Sequence, residues 1–331
     1  MKENEKIIKA LLDKLHDFLS GQELADELGV SRTAIWKKIQ NLRKLGFGIE
    51  GSSAKGYRLT AIGDAIIPDE IKKNLKTRII GKEIIYKAVT QSTNTDAFEL
   101  AKEGALEGTC IIAEVQTAGR GRLGRSWIAK PSSSILTSII IRPQIPPSHA
   151  PILTLAAGIA VHRAIERVTS LVPHIKWPND ILVNDKKVAG ILTEMNAELD
   201  IVHFVVIGIG INVNYDLRDM PDELTKIATS LNIQTGRFIS RNYLITALYE
   251  EMEGAYRRFI RQGPSAIVEE WQERAHIKGR RVTATIMNGV KIMGCAQGVD
   301  DDGALLVKTG SGSIHRITAG EVIFAHSDFP S

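Results

Sequence analysis

The sequence has few of the residues that build disulfide-stabilised, zinc-stabilised or membrane-spanning proteins. Its two cysteines, Cys110 and Cys295, are too few for a disulfide framework or a structural zinc site. No apolar run reaches the length that crosses a bilayer, and the opening residues MKENEKIIKALLDKLHDFL lack the features of a signal peptide. We therefore expect a cytoplasmic protein that does not associate with membranes.

Size and composition indicate a globular chain with more than one domain. Hydrophobic residues make up 44% of the chain and charged residues 24%, which is typical of globular proteins. A chain of 331 residues is longer than one hydrophobic core usually serves, so two or three domains are expected. The net charge of +4 is too small to identify a partner, and the position of the cations matters more.

The N-terminal region has the pattern of a winged helix-turn-helix. Apolar residues recur at helical spacing over residues 7–19. Ser20 and Glu23 fit a capping box that begins a second helix, and Ser31 is placed to cap a third. The following segment FGIEGSSAKGYRLT indicates two short strands joined by a turn. This order of helices and strands predicts a DNA-binding domain.

The third helix, SRTAIWKKIQNLRKLG, carries five cations and no acid. Ile35, Ile39 and Leu42 share one stripe of this helix, so the opposite face is free to contact phosphates and base edges. A merely solvated basic helix is the alternative, but the caps, helix order and hairpin together favour DNA. The predicted DNA contacts are Ser31, Arg32, Thr33, Trp36, Lys37, Gln40, Lys44 and Lys55.

The segment AGRGRLGRSW at 118–127 matches G-x-G-x-x-G. A dinucleotide-binding turn needs a helix at the third glycine, whereas Pro131 and a β-branched strand pattern follow here, which excludes that fold. Glycine amides and three arginines still suit an anion, and no acid occurs from Val115 to Ile165, so we expect a positive field. The alternative is a glycine-rich surface loop whose charge is incidental.

Further along the chain, charged residues interrupt strands otherwise built for burial. ILVNDKKVAGILTEM alternates around Asn184 and Asp185 as a hairpin does, and IVHFVVIGIGINVN follows as another strand. Lys176, Asp180 and Lys187 lie in or beside these strands, and buried charge is costly unless it is partnered. We expect the three to face a pocket, although each alone is also consistent with a strand edge or a turn.

Five segments in this order resemble the catalytic domain of biotin protein ligases: QSTNTDAFEL, GRGRLGRSW, KWPND, KVAGIL and GIGINV. Together with the winged N-terminus, they resemble the bifunctional type, which is both ligase and biotin-operon repressor. The resemblance implies an α+β multidomain fold: a winged helix-turn-helix domain at 1–64, a mixed α/β ligase domain with a sheet and flanking helices at 65–276, and a small SH3-like β-barrel at 277–331.

The resemblance also implies the reaction and the partners. Biotin and ATP, with Mg²⁺ on the phosphates and no metal held by the protein, give biotinyl-5′-AMP, and a lysine of a biotin carboxyl carrier protein then takes the biotin. With biotinyl-AMP bound, the protein forms a homodimer on operator DNA. A biotin-sensing transcription factor without catalysis and a lipoyl-type ligase are the alternatives. The sequence leaves the operator and the dimer interface open.

The family's site residues map onto this chain by the same motifs. Biotin binding is implied for Ser92, Thr93, Asn94, Gln116, Gly119, Arg120, Lys187 and Gly190. Nucleotide binding is implied for Arg122, Trp127, Lys176, Asn179 and Asn212. Catalytic roles are implied for Lys187, Arg122, Lys176 and Asp180, where Asp180 would orient or deprotonate the acceptor amine.

Overall fold

The computed structural model describes residues 6–8, 10–11, 14, 17–44, 47–60, 64–216, 218, 220, 222–286 and 289–325. Within these ranges the chain forms an N-terminal helical unit with a two-stranded wing, a central seven-stranded mixed sheet with helices, and a C-terminal five-stranded antiparallel sheet. The predicted fold class is confirmed. Domain boundaries at 64 and 276 stay predictions. The predicted first helix lies partly outside the described residues, of which 6–8, 10 and 11 are helical.

The N-terminal unit has the predicted order of elements: α1 (Gly21–Leu28), α2 (Arg32–Lys44), β1 (Ile49–Ser52) and β2 (Gly56–Leu59). The capping box is confirmed, since Glu23 N donates to Ser20 Oγ at 3.0 Å and Ser20 N donates to Glu23 Oε2 at 2.9 Å. Ser31 Oγ accepts from the N–H of Ala34 at 3.2 Å at the start of α2. β1 and β2 pair antiparallel and form the wing.

The central unit contains these elements in chain order: α3 (Pro68–Asn74), β3 (Ile84–Thr90), α4 (Thr93–Lys102), β4 (Cys110–Gln116), β5 (Ser134–Ile141), α5 (Ala150–Thr169), β6 (His174–Lys176), β7 (Asp180–Val183), β8 (Lys186–Ala197), β9 (Val202–Asn212), α6 (Asp222–Thr225), α7 (Leu231–Thr235), α8 (Arg241–Gln262) and α9 (Pro264–Ala275). The strand order is β3-β4-β5-β9-β8-β7-β6. The predicted hairpin between β7 and β8 turns at Asn184 and Asp185, both with positive φ.

Strand alternation divides the central sheet into a covered face and a site face. Ile207, Ile209 and Ile211 of β9 are buried in the core that α5 and α8 complete. The residues between them, Gly208 and Gly210, point to the other face because side chains alternate along a strand. α4 covers only part of that face, so the sheet surface over these glycines is left for a ligand.

The C-terminal unit contains β10 (Arg281–Thr285), β11 (Lys291–Val299), β12 (Leu305–Lys308), β13 (Ile314–Ile317) and β14 (Glu321–Phe324). These strands pair antiparallel in the order β13-β12-β11-β10-β14. Trp177 Nε1, in the KWPND segment, donates to the carbonyl of Gly303 at 3.0 Å. This bond joins the C-terminal unit to the edge of the central sheet.

Among the residues that the structure describes, no helix has both the length and the apolar character needed to cross a bilayer.

Candidate active site and DNA-binding face

Residues 117–133, here called the ligand loop, join β4 to β5 and contain the glycine–arginine motif. Its third glycine starts no helix, which confirms the exclusion of a dinucleotide-binding turn. Instead a short 3₁₀ turn covers Arg122–Gly124. Gly121 N donates to the carbonyl of Arg125 at 2.7 Å, and Trp127 N donates to the carbonyl of Gly119 at 2.9 Å. The loop therefore doubles back and brings Trp127 over the sheet.

Trp127 lies on a floor of glycines. A Cβ at Gly210 would come within 2.5 Å of the Trp127 ring, and a Cβ at Gly190 would lie 3.0 Å from both Trp127 and Lys187. Any side chain at Gly210 would thus displace the ring. The indole Nε1 is buried and has no hydrogen-bond partner in the described part of the chain. A buried donor of this kind is costly unless a ligand or water satisfies it.

The floor continues into a polar network at the start of α4. Gln116 Oε1 accepts from the N–H of Thr93 at 2.7 Å and from its hydroxyl at 3.1 Å. Ser138 Oγ lies 2.8 Å from Thr93 Oγ1 and 2.6 Å from Asn94 Oδ1. Since the oxygen of the Gln116 amide is used, its NH₂ group is the part that can donate to a ligand carbonyl. Buried Ser92 precedes this network.

Acids from distant segments pair with two of the three arginines of the loop, which opposes the positive field expected from the sequence. Arg120 pairs with Glu194 at 3.0 Å, and Arg125 pairs with Glu321 of the C-terminal unit at 2.8 Å. The stretch from 115 to 165 has no acid, but β8 and β14 bring carboxylates to it through tertiary contacts. The same Glu194 accepts from Asn94 Nδ2 at 2.8 Å.

Lys187 and Asp180 form an ion pair at the centre of the site. Their Nζ and Oδ1 atoms are 2.7 Å apart, and the Lys187 ammonium lies 5.6 Å from the centre of the Trp127 ring. Arg122 Nη1 donates to Asn179 Oδ1 at 3.3 Å. Burial lowers the pKa of Arg122 from its usual value, while Asp180 opposes this shift. Asp180 and Lys187 are thus partnered by each other, and their position facing a pocket stays a prediction.

Two predicted nucleotide-binding residues lie at the margins of this cluster. Lys176 is the register partner of Asp180 across β6 and β7. Asn212 is buried, and its Nδ2 donates to the carbonyl of Thr229 at 3.1 Å. The backbone N–H of Thr229 in turn donates to the backbone carbonyl of Lys187 at 2.9 Å. Asn212 therefore supports the segment beside Lys187.

A cleft of about 730 Å³ opens along the ligand loop. It is bounded by the start of α5, by residues 191–195 of β8 and by Gly303 and Thr318 of the C-terminal unit. Sequence reasoning missed these two contributions from the C-terminal unit, and also Ser138 and Glu194. Only the polar residues within strands that are otherwise apolar could have indicated the last two.

The N-terminal unit, here called the DNA-binding unit after its predicted role, presents most of the predicted DNA contacts to solvent. Ile35, Ile39 and Leu42 are fully buried, as predicted, and Trp36 is 52% exposed. Ser31, Arg32, Thr33, Lys37, Lys44 and Lys55 are exposed, and Gln40 is partly so. Two other cations are engaged within the unit: Arg43 Nε donates to the carbonyl of Ile49 at 2.9 Å, and Arg58 pairs with Glu50 at 2.6 Å.

Comparisons with known proteins agree with this arrangement. Residues 86–212 match the biotin/lipoate A/B protein ligase family, residues 4–58 an HTH domain, and residues 278–325 the biotin protein ligase C-terminal domain. The bifunctional ligase/repressor BirA of Bacillus subtilis is 44% identical over 93% of this chain and 94% of its own length. The BirA of Escherichia coli is 31% identical over 92% of both chains.

Solved structures give the same result for the fold. Biotin protein ligase from Aquifex aeolicus, in complex with biotin and ATP, superposes with a TM-score of 0.63. It is 28% identical, and the match covers 74% of this chain and 99% of that one. Together with the helix-turn-helix that precedes the matched region, these findings show that the chain belongs to the family of bifunctional biotin ligase/repressors.

Proposed function

We propose that the site joins biotin to AMP and then transfers biotin to a carrier-protein lysine. In the first step a biotin carboxylate oxygen attacks the α-phosphorus of ATP, the bond to pyrophosphate breaks, and biotinyl-5′-AMP forms. The observation that carries this proposal is that Lys187 and the Trp127 indole, whose Nε1 lacks a partner in the described part of the chain, meet over Gly190. Arg122 reaches Asn179, which is bonded to Ile191 next to that glycine. Two anions must approach each other there, and the fixed cations offset their repulsion.

The polar end of the floor suits the ureido ring of biotin. The NH₂ group of Gln116 and the hydroxyls of Ser92 and Thr93 supply the donors and acceptors that a cyclic urea needs. Asn94 is already bonded to Ser138, to Glu194 and to the carbonyl of Leu192 at 3.1 Å, so we propose that it shapes the pocket. Gly119, Gly190 and Arg120 complete the pocket towards the biotin carboxylate.

The other side of Lys187 suits the nucleotide. We assign Arg122 and Lys176 to the phosphate, and Trp127, Asn179 and Asn212 to the adenosine. The described residues contain no group of three or more His, Cys, Asp or Glu that could share a metal ion. We propose that Mg²⁺ arrives on the ATP phosphates, where it would supply charge neutralisation.

The ion pair of Asp180 and Lys187 suits the second step. The acceptor amine attacks the carbonyl carbon of biotinyl-AMP, the bond to AMP breaks, and the amine gives up a proton to Asp180. Asp180 is the carboxylate of the central cluster, so we assign it the orientation of this amine, with Lys187 stabilising the AMP leaving group. The acceptor is the lysine of a biotin carboxyl carrier domain.

Transfer to a carrier domain tests the enzymatic proposal. We expect Arg122→Ala to slow biotinylation of the carrier lysine, followed by mass spectrometry, by about 100-fold or more, as removal of a charge-stabilising donor does. Arg125→Ala is the matched control in the same loop, because its guanidinium is largely exposed and pairs with Glu321. Equal rates in both variants would contradict the assignment.

We propose that the adenylate complex also represses transcription as a homodimer. The pairing of β7 with β8 ends at Gly190. The next residue of β8, Ile191, has both its N–H and its carbonyl bonded to Asn179. Beyond Ile191, β9 is the only strand that neighbours β8 in the described structure. The hairpin from this edge carries exposed apolar side chains: Met195, Leu199 and Ile201. A second copy pairing along this edge would place two α2 helices on a two-fold operator.

Sedimentation with and without biotinyl-AMP tests the dimer. We expect the adenylate to tighten dimerisation and Met195→Asp to abolish this effect while adenylate formation continues. Equal dimerisation with and without adenylate would overturn the proposal. Because a repressor must meet its operator, we propose the cytoplasm as its compartment.

A further inference from the structure

Arg241, the first residue of α8, lies at the centre of a buried charge cluster outside the active site. Its side chain is 0% exposed. Its Nε atom lies 2.9 Å from Asp64 Oδ2, and its Nη1 atom lies 2.7 Å from Glu114 Oε1. Both carboxylates are 5% exposed. One guanidinium thus binds two buried carboxylates that are 50 positions apart in sequence.

Glu114 and Arg241 together hold the point where the ligand loop returns to the sheet. Glu114 lies on β4, two residues before Gln116, and its Oε1 accepts from the N–H of Ser132 at the end of the loop. Arg241 Nη1 also donates to the carbonyl of Ser134, the first residue of β5, at 2.9 Å. Both ends of the ligand loop are therefore fastened to one guanidinium.

Asp64 brings the linker from the DNA-binding unit to the same guanidinium. It lies between the wing and α3, and its carboxylate accepts from Arg241 N at 2.9 Å and from Asn214 Nδ2 at 2.9 Å. Arg241 Nη2 also donates to the backbone carbonyl of Asp64. Tyr86 adds a second contact, since its hydroxyl lies 3.5 Å from Glu114 Oε2. Its side chain packs against an apolar cluster that contains the core of the DNA-binding unit together with Ala88, Val89 and Val115 of the central sheet.

A buried charge cluster contributes little net stability to a fold, because its ions must be desolvated. Burying ions costs several kcal/mol each before pairing repays it, and apolar residues of similar size often serve stability equally well. What the cluster supplies beyond stability is a defined geometry between three segments, because a guanidinium binds carboxylates and carbonyls in a fixed planar fork.

We propose that Arg241 is a positioning residue that fixes the root of the ligand loop and couples it to the linker of the DNA-binding unit through Asp64. The coupling works through the contacts of Asp64 with Arg241, and through those of Arg241 and Glu114 with Ser134 and Ser132. Loosening the linker end frees the guanidinium to shift towards Glu114, and the loop root then loses its fixed position. This inference rests on the proposed adenylate-forming function.

Asp64→Asn is the variant that tests the coupling. It keeps the shape of the side chain and one of its two acceptor oxygens, removes its charge, and alters no residue that we assign to ligand binding. We expect biotinyl-AMP to dissociate about tenfold faster and the KM for biotin to rise by a similar factor, with kcat nearly unchanged. Amide hydrogen exchange at 132–134 should accelerate, although Asp64 has no direct contact with those amides.

Glu253→Gln, on the helix that also carries Arg241, is the matched control. Glu253 is also a buried carboxylate, and it accepts from the N–H groups of Arg78, Ile79 and Ile80 at 2.7 to 3.0 Å, away from the linker and the ligand loop. Its loss should lower the melting temperature while leaving adenylate dissociation and exchange at 132–134 as in the wild type. This control separates positioning from a general loss of stability.

The outcomes are distinct. Faster dissociation and exchange in Asp64→Asn, without these changes in Glu253→Gln, supports the proposal. Wild-type values for both quantities in Asp64→Asn overturn it, as do equal changes in the two variants, which would mean that only stability is involved. If the wild-type protein itself forms no adenylate in this assay, the proposed function fails instead.

Discussion

Gly208→Ala tests the construction of the proposed biotin pocket because the space at this position is occupied by the side chain of Asn94. A Cβ at Gly208 would lie 2.0 Å from Asn94 Oδ1 and 2.7 Å from Asn94 Cγ. Asn94 cannot yield without losing its bonds to Ser138, to Glu194 and to the carbonyl of Leu192. The substitution therefore disrupts the start of α4.

The expected cost follows from these three bonds. Each buried hydrogen bond contributes about 1 kcal/mol on balance, and one to a charged group such as Glu194 contributes about 1.5–3 kcal/mol. We expect the free energy of unfolding to fall by about 3–5 kcal/mol. Thr93 precedes Asn94 and bonds to Gln116, so the KM for biotin should also rise at least about tenfold, equivalent to about 1.4 kcal/mol of binding.

Urea denaturation and steady-state pyrophosphate release measure the two effects. Gly254→Ala is the matched control, because Gly254 lies in α8 with nothing within 4 Å of the new Cβ. Alanine there should stabilise the helix by about 1 kcal/mol and leave the KM unchanged. If Gly208→Ala were as stable as the wild type and bound biotin equally well, the fixed position of Asn94 would be refuted.

Three further predictions concern DNA binding, stability and transfer. The logarithm of operator affinity should fall linearly with the logarithm of salt concentration, with a slope of about 0.9 for each phosphate contacted. Lys37→Ala should reduce this slope by the value of about one contact. A flat dependence would mean that the basic face does not bind DNA. Burial, reinforced by nearby Arg274, lowers the pKa of His162 to about 4. In the unfolded chain the imidazole takes up a proton near pH 6.5. The difference in unfolding free energy between the wild type and His162→Asn should therefore be full above pH 6.5 and shrink by about 2–3 kcal/mol as the pH falls towards 4. A difference that stays constant with pH would contradict the buried neutral ring. In single-turnover experiments Asp180→Asn should slow transfer to the carrier lysine more than adenylate formation, and equal slowing would remove its separate role.

Features with local causes could be predicted from the sequence. The capping box of Ser20 and Glu23 depends on residues three positions apart, and the turn at Asn184 and Asp185 depends on two neighbours that tolerate positive φ. The family resemblance predicted roles for Lys187, which lies within KVAGIL, and for Gln116, which stands three residues before GRGRLGRSW. The structure brings both residues to the floor of the site.

Features that depend on distant partners could not be predicted. Nothing near Arg120 or Arg125 in sequence indicates that Glu194 and Glu321 will face them, since these acids arrive on β8 and β14. The same holds for Arg241, which occurs in an ordinary helix start and whose partner Asp64 is 177 residues away. Tertiary packing alone decides these contacts, and they change the charge balance around the ligand loop.

Pyrophosphate release from Mg-ATP tests the central claim most directly. It is measured with biotin, with lipoate and with neither, in the wild-type protein and in Lys187→Ala. We expect release with biotin alone and its loss in Lys187→Ala, whose ammonium pairs with Asp180 beside the glycine floor. Release with lipoate instead, or no release with either acid, would contradict the assignment of this site as a biotin-activating centre.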